Sequence, residues 1–230
     1  MSKKTLKQKS NYTFDDLLEI MNILRDKDGC PWDREQTHQS IRKNLIEETY
    51  EAVEGIDKNN PEMLCEELGD VLLQVVFHAK IAADQSEFTI QDVLNAICTK
   101  LIYRHPHIFG DIEVGSSDEV LSNWNKLKLA EKGYKSAKQV LKDIPNTLPA
   151  LMRAQKLIDK SGINLDQNEQ IEKLNSCTLQ LKDAPDSLKE NIIGDMLMHV
   201  VSLAKLQKVD SEQALEHANN QFLSKINDLN

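Results

Sequence analysis

Apolar residues recur along this chain at helical spacing, and strand-type alternation is weak throughout. A first helix is expected from Phe14 to about Asp26, with Leu17, Leu18, Met21 and Leu24 as its apolar face. Asp28-Gly29-Cys30-Pro31 ends it, and Trp32 to Ser40 reads as a polar connector. A second helix runs from about Ile41 to Ile56, with Leu45, Ala52, Val53 and Ile56 on its inner side. Asn59-Asn60-Pro61 breaks the pattern, and Pro61 is suited to open a third helix reaching about Ala83. Apolar residues from Val71 to Ile81 surround this helix rather than lining one stripe, so it should be buried on most sides. A fourth helix is expected from Ile90 to about Tyr103, stopped by Arg104-His105-Pro106-His107, and a further one from about Val120 to Glu131. The expected fold is an all-α helical bundle.

The chain also repeats itself. Gly69 to Lys80 aligns with Gly194 to Lys205, with seven identical positions and apolar residues at most others. The expected organisation is a disordered tail over 1–13, a helical domain over 14–130, a linker over 131–147 and a degenerate second repeat over 148–230.

Two acidic clusters fall on the second and third helices. One is Glu47-Glu48-Thr49-Tyr50-Glu51; the other, Glu67-Leu68-Gly69-Asp70, begins sixteen residues after Glu51. Three residues turn a helix by about 300°, so Glu48 and Glu51 share a face, as do Glu67 and Asp70. If the helices form an antiparallel hairpin, four carboxylates converge. Such a group repels itself unless a divalent cation lies between its members, and oxygen-only ligation suits Mg²⁺ or Mn²⁺. Carboxylates at the mouth of an apolar helix are costly to bury without such a partner. The plainer alternative is a solvated acidic face. In the second repeat Ile192 stands where Glu67 should be, only Asp70 keeps its partner, Asp195, and Ile171 to Leu181 lacks the first cluster.

Composition narrows the classes. The formal net charge is −9, which argues against a broad nucleic-acid surface. No apolar run reaches membrane-spanning length, and the basic start is followed by no apolar segment, so neither a membrane protein nor a secreted one is expected. The four cysteines are scattered without zinc spacing and read as reduced thiols of a cytoplasmic protein. No P-loop occurs, and the Glu-x-x-His pairs of di-iron bundles are missing.

Together these residues resemble the MazG family of nucleoside triphosphate pyrophosphohydrolases, within the all-α NTP pyrophosphatase superfamily. The family's EExxE…ExxD pattern is matched by Glu47, Glu48, Glu51, Glu67 and Asp70. Gly29-Cys30-Pro31-Trp32-Asp33, Arg104-His105-Pro106-His107-Ile108-Phe109 and Ile144-Pro145 with Leu148-Pro149-Ala150-Leu151 are similar too. The resemblance implies hydrolysis of NTP or dNTP to the monophosphate and pyrophosphate, a nucleotide-pool housekeeping role, and association into a homodimer or higher oligomer. Glu48, Glu51, Glu67 and Asp70 would hold Mg²⁺ or Mn²⁺. Glu47 and Glu48 are the candidate catalytic carboxylates, Glu47 orienting the attacking water unless it is simply solvated. Arg104, Lys126 and Lys128 are candidate phosphate contacts, against ordinary surface charge. Trp32 and Trp124 could stack a base or belong to the core. The alternative to an enzyme is a helical regulatory or scaffold protein that keeps the fold.

Overall fold

The computed structural model describes residues 6–134 and 136–227. Every regular element among them is a helix: α1 Phe14–Arg25, α2 Pro31–Glu35, α3 Arg42–Asp57, α4 Pro61–Asp84, α5 Ile90–Arg104, α6 Pro106–Phe109, α7 Ser117–Glu131, α8 Ala137–Lys142, α9 Ala150–Ser161, α10 Gln167–Asp183, α11 Asp186–Leu206 and α12 Ser211–Asn227. The chain divides into two compact units. One ends at Trp124 and the other begins at Asn125, within α7. This division falls before the expected linker, and part of that linker folds as α8.

In the first unit, α1 begins with a capping box. Thr13 accepts from the Asp16 amide, and Asp16 accepts from the Thr13 amide. Lys9 Nζ lies 2.6 Å from Asp16 and holds that carboxyl down at about 2. Residues 1–5 of the expected tail lie outside the described part, but 6–13 are not free. Leu6 is buried and its carbonyl accepts from the Tyr12 hydroxyl. The polar connector also contains structure, because Pro31 supplies the first residue of the short helix α2.

The core forms where α1 crosses the second half of α4. Met21, Ile41, Val76, Phe77 and Ile81 are buried together, with Phe14, Leu17, Leu18 and Leu73 packed around them. Each such side chain contributes roughly 1.5–3 kcal/mol of burial. Arg25 ties three pieces together. Its Nε donates to Asp84 at 2.9 Å, its Nη1 donates to the carbonyls of Asp33 and Gln36, and its guanidinium lies over the Phe77 ring. The expectation that α4 is buried on most sides needs correction. Leu68, Leu72 and Val75 form an exposed stripe, because neither α1 nor α3 covers that side of the helix.

The most extensive packing in each unit is a helical hairpin: α3 on α4 in the first, α10 on α11 in the second. Arg42 and Pro61 open the first pair, and Gln167 and Asp186 open the second at the same offset. The sequence repeat is thus also a repeat of element starts. Val76 and its counterpart Val201 are both buried.

Candidate active site

The hairpin α3–α4 turns through Lys58-Asn59-Asn60. Asn59 takes a positive φ of 49°, which asparagine accepts more readily than most residues. Asn60 caps α4 by accepting from the amides of Glu62 and Met63, and Pro61 takes the first helical position. Beside the turn, Gly55 is buried against Leu64. A Cβ there would stand 2.9 Å from the Leu64 backbone nitrogen, so only glycine allows this approach.

About two turns or a little more from the loop, Glu48 of α3 meets Glu67 and Asp70 of α4. Ligand oxygens from the three carboxylates lie within 4.8 Å of one another, and all three residues are half-buried. Glu51 is more exposed, but its carboxylate lies near enough to push on both Glu48 and Glu67. Desolvation first, then the negative charge of Asp70, Glu51 and Glu67, raises the pKa of Glu48. Desolvation first, then Glu51, Glu66 and Asp70, raises that of Glu67. The other acidic side chains of α3 behave differently. Glu47 pairs with Lys43 at 2.6 Å, and Glu54 pairs with Lys58. Glu48, Glu67 and Asp70 have no lysine, arginine or histidine partner among the described residues. An all-oxygen, uncompensated set of this kind fits a hard divalent cation.

The remaining sequence candidates are placed unevenly. Glu47 sits on the exposed side of α3, engaged by Lys43. Trp32 is 58% exposed and makes a T-shaped contact with Phe77. Arg104 is 7% exposed and its guanidinium lies 5.1 Å from the Trp124 ring centre, an arrangement that uses both residues in packing. Lys126 and Lys128 belong to the second unit.

Sequence reasoning passed over several residues. Gly55 is one, although a glycine inside a helix is itself a signal of close approach. Gln74, one turn beyond Asp70, is 6% exposed, and its Oε1 lacks a hydrogen-bond partner among the described residues. His38 and His78 stack with parallel rings, their Nδ1 atoms 2.7 Å apart. One must donate and the other accept, so the pair carries at most one proton between the two facing nitrogens. Desolvation and the neighbouring His38 lower the pKa of His78. The contact fastens the segment before α3 to α4. Nothing in the spacing of two histidines forty residues apart announces it.

Comparison with known proteins gives the family. The profile of the MazG nucleotide pyrophosphohydrolase domain matches residues 36–109, which span α3, α4 and α5. A nucleoside triphosphate pyrophosphohydrolase/pyrophosphatase MazG of Thermotoga maritima is 41% identical over 218 residues, covering 93% of this chain and 84% of that protein. A nucleoside triphosphate pyrophosphohydrolase of Escherichia coli K12 is 39% identical over 219 residues, covering 90% of this chain and 83% of its own length. The uncharacterized protein YabN of Bacillus subtilis is 40% identical over 221 residues, of which this chain covers 45% of the length. The chain belongs to the MazG family of nucleotide pyrophosphohydrolases.

Proposed function

We propose that this protein is a nucleoside triphosphate pyrophosphohydrolase dependent on Mg²⁺ or Mn²⁺. It would convert NTP or dNTP to the monophosphate and pyrophosphate in cytoplasmic nucleotide-pool housekeeping. The observation that carries this reading is the meeting of Glu48, Glu67 and Asp70 without a cationic partner. Glu51, at the edge of the group, completes the set that would hold the metal. A metal held there would supply positive charge against the triphosphate oxygens.

The chain's own groups have separable tasks. Glu47 is the candidate to orient the attacking water, with Glu48 the second catalytic carboxylate. The exposed Lys43 pair holds Glu47 only weakly and leaves it free to turn. The exposed Trp32 is the candidate for base stacking. Lys126 and Lys128, the other sequence candidates for phosphate contact, lie in the second unit, whereas Arg104 and Trp124 of the first would act through each other. No described helix is long and apolar enough to cross a membrane.

We also infer a homodimer or higher oligomer. Ile46, Tyr50 and Val53 of α3 and Leu68, Leu72 and Val75 of α4 leave a broad apolar face in water. Gly69 lies within it with open space above its Cα.

The test is pyrophosphate release from a panel of canonical and modified NTPs and dNTPs, with Mg²⁺, with Mn²⁺ and with neither. Metal-dependent release of one pyrophosphate per monophosphate supports the reading. Phosphate release in its place, or no turnover on any member, refutes it.

A further inference from the structure

The second unit has no counterpart of the carboxylate site, yet it holds a cavity of about 830 Å³. The wall comes from the end of α7, from α8 with the strand of chain after it, and from α9. Its lining mixes apolar residues, Leu129, Val140, Ile144, Pro145 and Leu148, with Lys128, Lys132, Lys156 and Lys160 and two carboxylates, Asp143 and Asp159. Both carboxylates are already engaged. Asp143 accepts from Lys132 and from the Tyr134 hydroxyl, which lower its pKa. Asp159 pairs with Lys205 at 3.0 Å, a residue outside the lining. Lys156 has no ion-pair partner among the described residues, and Lys160 reaches only as far as Asn125 Oδ1, at 3.4 Å.

Charge is distributed to match. Of the chain's acidic residues, 23 lie up to Trp124 and 14 beyond it, while 13 of the lysines and arginines lie up to Trp124 and 15 beyond. The first unit therefore carries a formal charge of −10 and the second +1, and four of the second unit's 15 lysines and arginines line this cavity. A pocket lined by both apolar residues and lysines offers contacts for both parts of a nucleotide, a flat base and its phosphates. Its volume lies within the range of small-molecule sites.

We propose that this cavity is a second binding site, separate from the carboxylate centre, for a phosphate-bearing small molecule of nucleotide size. Lys156 and Lys160 meet the phosphates, Lys132 joins them by exchanging Asp143 for the ligand, and the wall from Val140 to Leu148 covers the apolar end. The ligand is bound there and not hydrolysed, since the unit lacks the acidic set. The proposal is independent of catalysis by the first unit.

The experiment is equilibrium dialysis of the full chain, in EDTA, against radiolabelled α,β-methylene-ATP. The wild type, Asp70→Asn, Lys156→Ala/Lys160→Ala and Lys156→Arg/Lys160→Arg are compared. Both lysines are exposed, so neither change should disturb folding, which circular dichroism checks. The site predicts saturable binding, one equivalent per chain, that survives Asp70→Asn, weakens at least about tenfold in the alanine pair and returns in the arginine pair. Competition by inorganic pyrophosphate but not adenosine would assign the recognition to phosphates; competition by adenosine alone would overturn that chemistry. Binding lost in Asp70→Asn, or unchanged by the alanine pair, or absent, overturns the proposal. Pyrophosphate release is measured on the same variants. Its loss with Asp70→Asn and retention in the alanine pair keeps the two sites distinct.

Discussion

The two hairpins of this chain start their helices in the same register and differ in what they carry. In the first, Glu48, Glu67 and Asp70 converge. In the second, Ile192 replaces Glu67, and Asp195 stands without the other carboxylates. What survives is the apolar register. Val76 and Val201 are both buried, and the exposed stripe Leu68, Leu72 and Val75 returns as Ile193, Leu197 and Val200. Even the inner contact can change. Leu45 and Gln74 of the first hairpin correspond to Gln170 and His199, which bond to each other at 2.8 Å in the second. The scaffold therefore does not depend on the acidic residues. Packing specifies the helices, and the acidic residues are a chemical burden that one copy keeps and the other has shed.

That difference is broken most sharply by paired substitutions. Asp70→Asn should lower turnover by on the order of 10²–10³, the scale for losing one group that stabilises transition-state charge. Asp195→Asn should leave turnover within about twofold, because nothing around it forms a site. Equal losses in a pyrophosphate-release assay would sink the assignment of activity to the first hairpin.

Metal should stabilise one hairpin and not the other. A cation at about a hundred times its Kd adds roughly 2.7 kcal/mol to the folded state. For a chain of this size that is a melting-temperature rise of about 5–10 °C. Glu67→Gln should cut the rise severely, and Asp195→Asn should not change it. Sodium at matched ionic strength should produce little shift, since it only screens. Calorimetric scans that rise equally with sodium and with Mg²⁺ would remove the site.

The apolar stripes offer a third comparison. Leu72→Lys should reduce the assembled mass in light scattering if the first hairpin forms the interface, and Leu197→Lys should do so if the second does. A wild-type monomer at micromolar concentration would dispose of the oligomer altogether.

The smallest effect is on pH. Glu48 and Glu67 have raised pKa values, so without metal the folded chain binds more protons than the unfolded one. Their contribution to stability is present below the ordinary carboxylate value of 4.5 and is lost as pH rises through the raised values. His78 works in the opposite sense. Its lowered pKa gives stability that is present above 6.5 and lost as pH falls. Urea titrations in EDTA should show Glu48→Gln/Glu67→Gln losing less stability than the wild type as pH rises above 4.5, and saturating Mg²⁺ should erase that advantage. A wild type and double variant with parallel pH profiles would show that the carboxylates do not press on one another.

Much of this was legible in residue order because it is local. Thr13 with Asp16, Asn60-Pro61 and the i, i+3 carboxylates announce themselves within four positions. Less legible was anything set by a distant partner. The burial of Arg104 depends on Trp124, and the opening of one side of α4 depends on which helix fails to cover it. Lysine spacing could have sorted the acidic residues further. Glu47 and Glu54 each have a lysine four positions away, and Glu48, Glu51, Glu67 and Asp70 do not.

Gly55 gives these facts a different meaning. Inside a helix glycine is a local mistake, worth about 1 kcal/mol less than alanine. The chain carries this piece of local frustration where a single methyl group would force α3 away from Leu64. At the matching place in the second hairpin stands Gln180, a good helix former, opposite Lys189. The copy without a site has relaxed to what the helix prefers. The copy with a site is held a little below its own best stability, and the width of the gap across which its carboxylates face one another is set by an atom that is not there.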